Sequence, residues 1–199
     1  MNILCIDTSH RFLAVGILKD GQPAASFQKE CWKKQSEELF PALEEVMKQA
    51  GITTEEIDGV VITEGPGSYT GVRIAMTVAK VFCAMGNKPL YTISTLRLYA
   101  GMLEDCRVVL DARGQRAYTA VYSSGEEIEA PSVRPCGEIS GTEMRKNVVG
   151  DGRLIGRDDC WPDLIGCFAD CRAYWKKADN IHLVVPEYLK ANEAYLVKK

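Results

Sequence analysis

The residues with the clearest chemical potential lie in Gly65-Pro66-Gly67-Ser68-Tyr69-Thr70-Gly71-Val72-Arg73, between an apolar strand pattern and a helix pattern. Backbone N–H groups at a helix start attract negative charge, so a glycine-rich turn in this place is a candidate phosphate cradle. The spelling does not match the common cradles, because Gly65, Gly67 and Gly71 are spaced G-x-G-x-x-x-G and no Gly-Lys-Ser/Thr comes after them. The pattern favours the alternative, a turn in which glycine allows the backbone to pack closely.

Two aspartates and two histidines are the other candidates for chemistry. Asp7 and Asp111 each come directly after a strand pattern, and across a cleft they could hold magnesium or position water. The plainer interpretation is turn chemistry, since Asp side chains accept hydrogen bonds from nearby backbone N–H groups. His10 is interpreted as a turn residue of the first hairpin and His182 as a strand-edge residue, because they are far apart and have no ligand spacing. The chain shows neither H-E-x-x-H nor a nucleophile with a base beside it.

The eight cysteines are scattered through apolar segments without a C-x-x-C pair, which predicts reduced and mostly buried thiols. Cys160, Cys167 and Cys171 would share one face if a single helix covers them, and three aligned thiols could bind zinc. Because Leu164 and Phe168 continue the same stripe, a helix face buried in the core is the favoured interpretation and no metal site is predicted.

Length and charge indicate an ordinary globular protein. A chain of 199 residues is long enough to bury a stable core without disulfide staples. The 27 Asp plus Glu against 24 Lys plus Arg give no overall basic field that would hold a polyanion. The sequence starts with a strand pattern, without a basic leader or an apolar run that could span a bilayer, so a cytoplasmic location without membrane contact is expected.

The first half predicts a mixed sheet. Its predicted elements are strands at 2–7, 12–19 and about 22–29, a helix at 36–50, a strand at 59–63, a helix at about 72–86 and a strand at 90–93. Asp20-Gly21 is a two-residue hairpin signal between the second and third strands. The resulting β-β-β-α-β-α-β order begins with antiparallel strands and continues with strands that need crossover helices.

The second half predicts a smaller unit. Its predicted elements are strands at 108–110 and 117–122, a polar stretch from 123 to 135 without an assigned element, a helix at about 142–147, a strand at 148–149 and a helix at 162–177. We therefore expect one lobe at 1–106 and a second lobe at 107–199, with the last helix packing back on the first lobe.

Both helices of the first half carry apolar stripes. In the later helix the small residues Gly71, Ala75 and Ala79 recur every four residues, and this ridge predicts a surface that another helix can approach closely.

Several motifs together resemble the TsaB (YeaZ) family. They are Asp7-Thr8-Ser9, the glycine elbow, Ser94-Thr95-Leu96, Leu110-Asp111-Ala112-Arg113 and Pro186-Glu187-Tyr188-Leu189. The β-β-β-α-β-α-β order also resembles a lobe of the actin, sugar-kinase and Hsp70 type. The resemblance implies a two-lobed actin-like (ribonuclease H-like) α/β fold with a reduced second lobe.

For function, the resemblance implies a non-catalytic subunit of the TsaD-TsaB-TsaE complex, which forms N6-threonylcarbamoyladenosine at position 37 of tRNAs that read codons beginning with A. The partners would be a TsaD-like transferase subunit and a TsaE-like ATPase, with tRNA reached through the complex and a homodimer when the chain is alone. The implied partner interface comprises Tyr69, Gly71, Val72, Arg73, Ala75, Met76, Val78, Ala79, Phe82, Leu39, Leu43 and Met47.

No tightly bound cofactor is expected, and ATP or ADP with magnesium is expected only at the junction with partner subunits. The residues that would contact a nucleotide are Asp7, Thr8, Ser9, Gly65, Gly67 and Asp111. The alternative function is an ATP-binding or ATP-hydrolysing enzyme of the actin-like class.

Overall fold

The computed structural model describes residues 1–31, 34–142 and 145–189. The first half folds in the predicted order. Its elements are β1 (Asn2–Asp7), β2 (Phe12–Lys19), β3 (Gln22–Glu30), α1 (Gln35–Ala50), β4 (Gly59–Gly65), α2 (Tyr69–Gly86) and β5 (Leu90–Ser94). The expectation of a β-β-β-α-β-α-β unit is confirmed.

These strands form the first sheet, in the order β3-β2-β1-β4-β5, with the two-residue strand β10 (Lys176–Lys177) added beyond β5. β2 runs antiparallel to β1 and β3, whereas β4 is parallel to β1 and β5. Asp20 and Gly21 join β2 to β3 with φ values of 52° and 86°, the left-handed backbone that this hairpin signal provides.

The second half contains α3 (Thr95–Ala100), β6 (Cys106–Asp111), β7 (Arg116–Ser123), β8 (Glu126–Pro135), α4 (Cys136–Ser140), β9 (Asn147–Gly150) and α5 (Leu164–Asp170). Its strands form the second sheet, in the order β8-β7-β6-β9, with β6 parallel to β9 and antiparallel to β7. The third, second, first and fourth strands of each half therefore lie side by side in the same succession.

Three predictions for the second half were wrong. The polar stretch 123–135 contains β8, whose residues are mostly exposed or half-buried because it is an edge strand. The helix expected at about 142–147 lies earlier, as α4, and residues 143–144 are outside the described part. The helix expected at 162–177 is only the seven-residue α5, followed by a short 3-10 turn at Arg172–Tyr174.

Apolar side chains of the described residues build two large core clusters, and a smaller third cluster packs α4 against the second sheet. One large cluster lies between the two sheets and includes the fully buried Tyr99 of α3 and Phe168 of α5. The other large cluster lies between the first sheet and the helices α1 and α2. The two sheets with these helices form the two-lobed actin-like α/β fold, which confirms the predicted class. None of the helices in the described residues is long and apolar enough to cross a membrane.

The lobe boundary at 106/107 stays a prediction. In the described structure α5 packs against β2 and β3 of the first sheet.

Candidate functional site

The glycine elbow between β4 and α2 is packed against the turn after β1. A Cβ atom added at Gly67 would overlap the carbonyl oxygen of Ser9, and one added at Gly71 would overlap that of Thr8. Ser68 caps α2, since its hydroxyl accepts a hydrogen bond from the N–H of Gly71 at 3.3 Å. The glycines therefore serve close backbone contact, which is the packing alternative that the sequence favoured.

The side chains at the end of β1 are buried and hydrogen-bonded within the chain. Asp7 accepts from the Thr63 hydroxyl at 2.6 Å and from the Tyr99 hydroxyl at 3.2 Å. Thr8 Oγ1 donates to the Gly71 carbonyl at 2.6 Å and accepts from the Ala75 N–H at 3.2 Å. Burial, together with the Asp7 carboxylate, raises the pKa of Tyr99 well above its usual value. This network fixes β1 to the elbow and to α2.

Asp7 and Asp111 have the same local role at the ends of β1 and β6. Asp7 Oδ1 accepts from the Ser9 N–H at 3.0 Å, and Asp111 Oδ1 accepts from the Arg113 N–H at 2.6 Å. Both are Asx turns, as the plainer interpretation of the sequence expected. Nucleotide binding stays a prediction for the full set of Asp7, Thr8, Ser9, Gly65, Gly67 and Asp111.

The small-residue ridge of α2 is turned toward the chain's own sheet. The residues of the predicted interface that are buried inside the chain are Gly71, Val72, Ala75, Met76 and Ala79 of α2, with Leu39 and Leu43 of α1. The interpretation of the ridge as a free docking surface was therefore wrong. Its small side chains let α2 lie close to β1 and β4, so β-strands occupy the position that was assigned to a partner helix.

An apolar surface is nevertheless present on the outer flank of α2. Ile74, Val78, Val81 and Met85 recur at helical spacing along it, and Phe82 lies beside them. The side chains of Val81 and Met85 are 53% and 85% exposed. The opposite flank of α2 is covered, because Lys80 donates to the carbonyl oxygens of His182 and Val184 at 3.0 and 2.7 Å.

The neighbouring helix α1 contributes to the same surface. Glu38 Oε2 accepts a hydrogen bond from Lys29 Nζ of the edge strand β3 at 3.4 Å, and helical spacing puts Phe40 and Met47 on the opposite flank of α1. That flank is on the side of α2, because α1 packs over β2 and β3 whereas α2 packs over β4. Phe40 is 60% exposed. We call the set formed by Phe40, Met47, Ile74, Val78, Val81, Phe82 and Met85 the helix seam. The sequence identified Met47, Val78 and Phe82 as interface residues but did not select the four others, although their spacing carried the signal.

Tyr69 and Arg73, predicted interface residues, lie apart from the helix seam. Arg73 Nε donates to the Tyr188 hydroxyl at 2.8 Å, and its guanidinium lies 4.6 Å from the centre of the Tyr69 ring. The rings of Tyr69 and Tyr188 are stacked at 5.4 Å. The segment 186–189 thus closes over the start of α2, and the Glu187 N–H donates to the Glu64 carbonyl at 2.7 Å.

The structure agrees with the predicted turn position of His10 but not with the predicted position of His182. His10 lies in the turn between β1 and β2, as predicted, but it is buried, and its Nε2 atom is 2.8 Å from Asp151 Oδ2. Sequence reasoning missed Asp151. The interpretation of His182 as a strand-edge residue was wrong, because it lies in a 3-10 helix at Ile181–Leu183.

The cysteines do not form a metal site in the described residues. Cys160 is exposed and lies outside α5, so it does not share a helix face with Cys167 and Cys171. Burial raises the pKa of the Cys106 and Cys167 thiols to about 12. Within residues 1–31, 34–142 and 145–189, no group of three His, Cys, Asp or Glu side chains is arranged to hold a metal ion.

The fold and these contacts define a two-lobed actin-like protein whose candidate functional surface is an exposed helix seam. The family model described as "TsaD: tRNA N6-adenosine threonylcarbamoyltransferase" matches residues 29–148, which include α1 and α2. The fold is shared with YeaZ from Pseudomonas aeruginosa, at a TM-score of 0.77 and 21% identity over 94% of this chain and 99% of that one.

The names of two sequence relatives also refer to tRNA threonylcarbamoyladenosine biosynthesis. The tRNA threonylcarbamoyladenosine biosynthesis protein TsaB of Bacillus subtilis (strain 168) is 30% identical over 129 residues, which are 61% of this chain and 55% of that protein. The TsaB protein of Escherichia coli (strain K12) is 29% identical over 178 residues, 82% of this chain and 75% of that protein. The chain belongs to the family that the TsaD model describes, and these two sequence relatives are TsaB proteins.

Proposed function

We propose that the chain is a non-catalytic subunit in the biosynthesis of N6-threonylcarbamoyladenosine at position 37 of tRNAs that read codons beginning with A. Its role is to bind a TsaD-like transferase subunit through the helix seam, in an assembly that a TsaE-like ATPase joins. The names of the relatives in Bacillus subtilis and Escherichia coli support the pathway.

The helix seam is the observation that carries the partner role. Three large apolar side chains, Phe40, Val81 and Met85, are more than half exposed on two adjacent helices. Exposed apolar side chains that are grouped on one face of a protein mark candidate interaction sites. Covering it would remove apolar area from water at about 25 cal/mol per Å². The same surface is the basis for a homodimer when no partner is present.

The candidate catalytic groups support a non-catalytic role. Asp7 and Asp111 are held in Asx turns, and the elbow glycines are packed against the backbone. By the family resemblance, the transferase relative holds its metal with two histidines four apart on the helix after the third strand. Here that helix is α1, and its sequence contains no histidine. We place ATP or ADP with magnesium at the junction with partner subunits, and tRNA on the assembled complex.

Co-purification with a TsaD-like subunit tests this proposal. We expect Val81→Glu to weaken the complex by about 100-fold or more, because it places a charge in the middle of a dry apolar contact. The matched control is Leu183→Glu, since Leu183 is an apolar residue 74% exposed on the far side of α2. Both variants should melt like the natural chain. Equal weakening by both, or by neither, would contradict the assignment of the helix seam.

A second measurement addresses the enzyme alternative. The purified chain should show no steady hydrolysis of ATP with magnesium, and tRNA modification should require the chain together with the TsaD-like and TsaE-like subunits. Hydrolysis by the chain alone that Asp7→Asn abolishes would support an actin-like ATPase instead.

A further inference from the structure

The carboxylate of Asp151 contacts residues that belong to both sheets. Asp151 comes directly after β9 and is 3% exposed. Its Oδ2 atom accepts from the Asp111 N–H at 2.7 Å and lies 2.8 Å from His10 Nε2, while its Oδ1 atom accepts from Arg11 Nη2. Two side chains of the β1–β2 turn therefore meet on one carboxylate that the second sheet supplies.

An aromatic side chain covers this group of charges. The Arg11 guanidinium lies 4.7 Å from the centre of the Trp161 ring. The same ring is 5.6 Å from His10 and 5.1 Å from Phe12, measured between ring centres. Trp161 is thus packed over the ion pair of Arg11 with Asp151, which limits the access of water and strengthens the pair.

These side chains lie at the ends of β1 and β6, the two strands that end in the Asx-turn aspartates Asp7 and Asp111. His10 and Arg11 come after Asp7 in the turn that leaves β1, and Asp151 holds the backbone N–H of Asp111 at the end of β6. The chain's own side chains therefore join the ends of β1 and β6 directly.

We propose that His10, Arg11, Asp151 and Trp161 form an inter-sheet lock, which holds the ends of β1 and β6 together. Removing the Asp151 carboxylate is costly, because it leaves the Arg11 guanidinium with only its longer contact to Glu30 at 3.8 Å and takes an oxygen away from the buried His10. Here that cost falls on the contact between the sheets, so loss of the lock should loosen the ends of β1 and β6 and leave each sheet folded.

Amide hydrogen exchange on the full chain tests the lock. In Asp151→Asn, we expect the segments 8–11, 111–113 and 151–161 to exchange at least about 10-fold faster, while β4 and β5 keep their rates. The matched control is Glu129→Gln, which removes a carboxylate bonded to the buried Arg107 at 2.9 and 3.0 Å within the second sheet. It should speed exchange in β6–β8 and leave segment 8–11 unchanged.

Trp161→Leu keeps the charges and removes only their cover, so it decides the question if Asp151→Asn does not fold. It should accelerate the same three segments to a smaller extent. Unchanged exchange of segment 8–11 in the folded variants, or a uniform acceleration over all strands, would overturn the lock.

Discussion

The two sheets have the same succession of strands, but the residues that follow their strands have different roles. Each places its third, second, first and fourth strands in succession, and each ends its first strand with an Asx-turn aspartate, Asp7 or Asp111. Each also ends its fourth strand with a glycine of positive φ, 113° at Gly65 and 102° at Gly150. The features that the two sheets share are therefore features of the backbone.

The two units differ in the helices that their strands lead into. The crossover helix and the helix after the fourth strand have 16 and 18 residues beside the first sheet, as α1 and α2. The corresponding elements beside the second sheet are the five-residue α4 and a four-residue 3-10 helix at Gly152–Ile155. Long helices give the first unit an exposed seam. In the second unit the residue after the glycine, Asp151, turns back to the first sheet.

The largest expected effect distinguishes the two faces of α2. Ala75 is fully buried, so Ala75→Glu should remove most of the stability, by about 4 kcal/mol, because it buries an unpaired charge. Thr77→Glu, on the exposed face of the same helix, should change it by no more than about 0.5 kcal/mol. Denaturant unfolding of both variants measures this. A stable Ala75→Glu protein would show that the ridge is not packed on the first sheet.

A second comparison sets a glycine of the elbow against a glycine of the second unit. Gly71→Ala should cost about 2–3 kcal/mol, since its Cβ would overlap the Thr8 carbonyl oxygen. Gly137→Ala should stabilise by about 0.5–1 kcal/mol, because the site in α4 is open within 4 Å and alanine favours helix. Thermal melts of the two variants should therefore shift in opposite directions. Similar shifts would mean that the elbow is not closely packed.

A smaller effect concerns the contact between the sheets in acid. Burial raises the pKa of Asp151, but the hydrogen bond and charge of His10, the Asp111 N–H and the Arg11 charge outweigh it and lower the pKa below its usual value. Tyr99 also faces this carboxylate. A lowered pKa stabilises the fold above the unfolded value near 4, and this contribution is lost as pH falls through the folded pKa.

The stability difference between the natural chain and Asp151→Asn should therefore be largest near neutral pH and shrink below about pH 4. Urea unfolding at several pH values measures it, with Asp170→Asn as the control for loss of an exposed charge. A difference that does not change with pH would argue against a charged Asp151 in the lock.

The sequence predicted the features that depend on local pattern. Asp20-Gly21 indicated the first hairpin, and the glycine spacing indicated a packed elbow. It could not predict β8. Three of the first four residues of this edge strand are glutamates, so the strand lacks the alternation of apolar and polar residues that marks a half-buried strand.

The sequence also could not show which residues far apart in the chain contact each other. α2 carries both a small-residue ridge and an apolar flank, and only the sheet beneath it decides which of them is inside. Asp151 was missed because Arg11, its partner, is 140 positions away in the chain. No local pattern connects two such residues.

Hydroxyl-radical footprinting of the complex with a TsaD-like subunit tests the helix seam most directly. Met85 and Phe40 of the seam are 85% and 60% exposed, and Leu183 and Val185 on the far side of α2 are 74% and 70% exposed. We predict that complex formation protects Met85 and Phe40 from labelling and leaves Leu183 and Val185 labelled. Protection of Leu183 and Val185 with continued labelling of Met85 and Phe40 would contradict the seam as the docking surface.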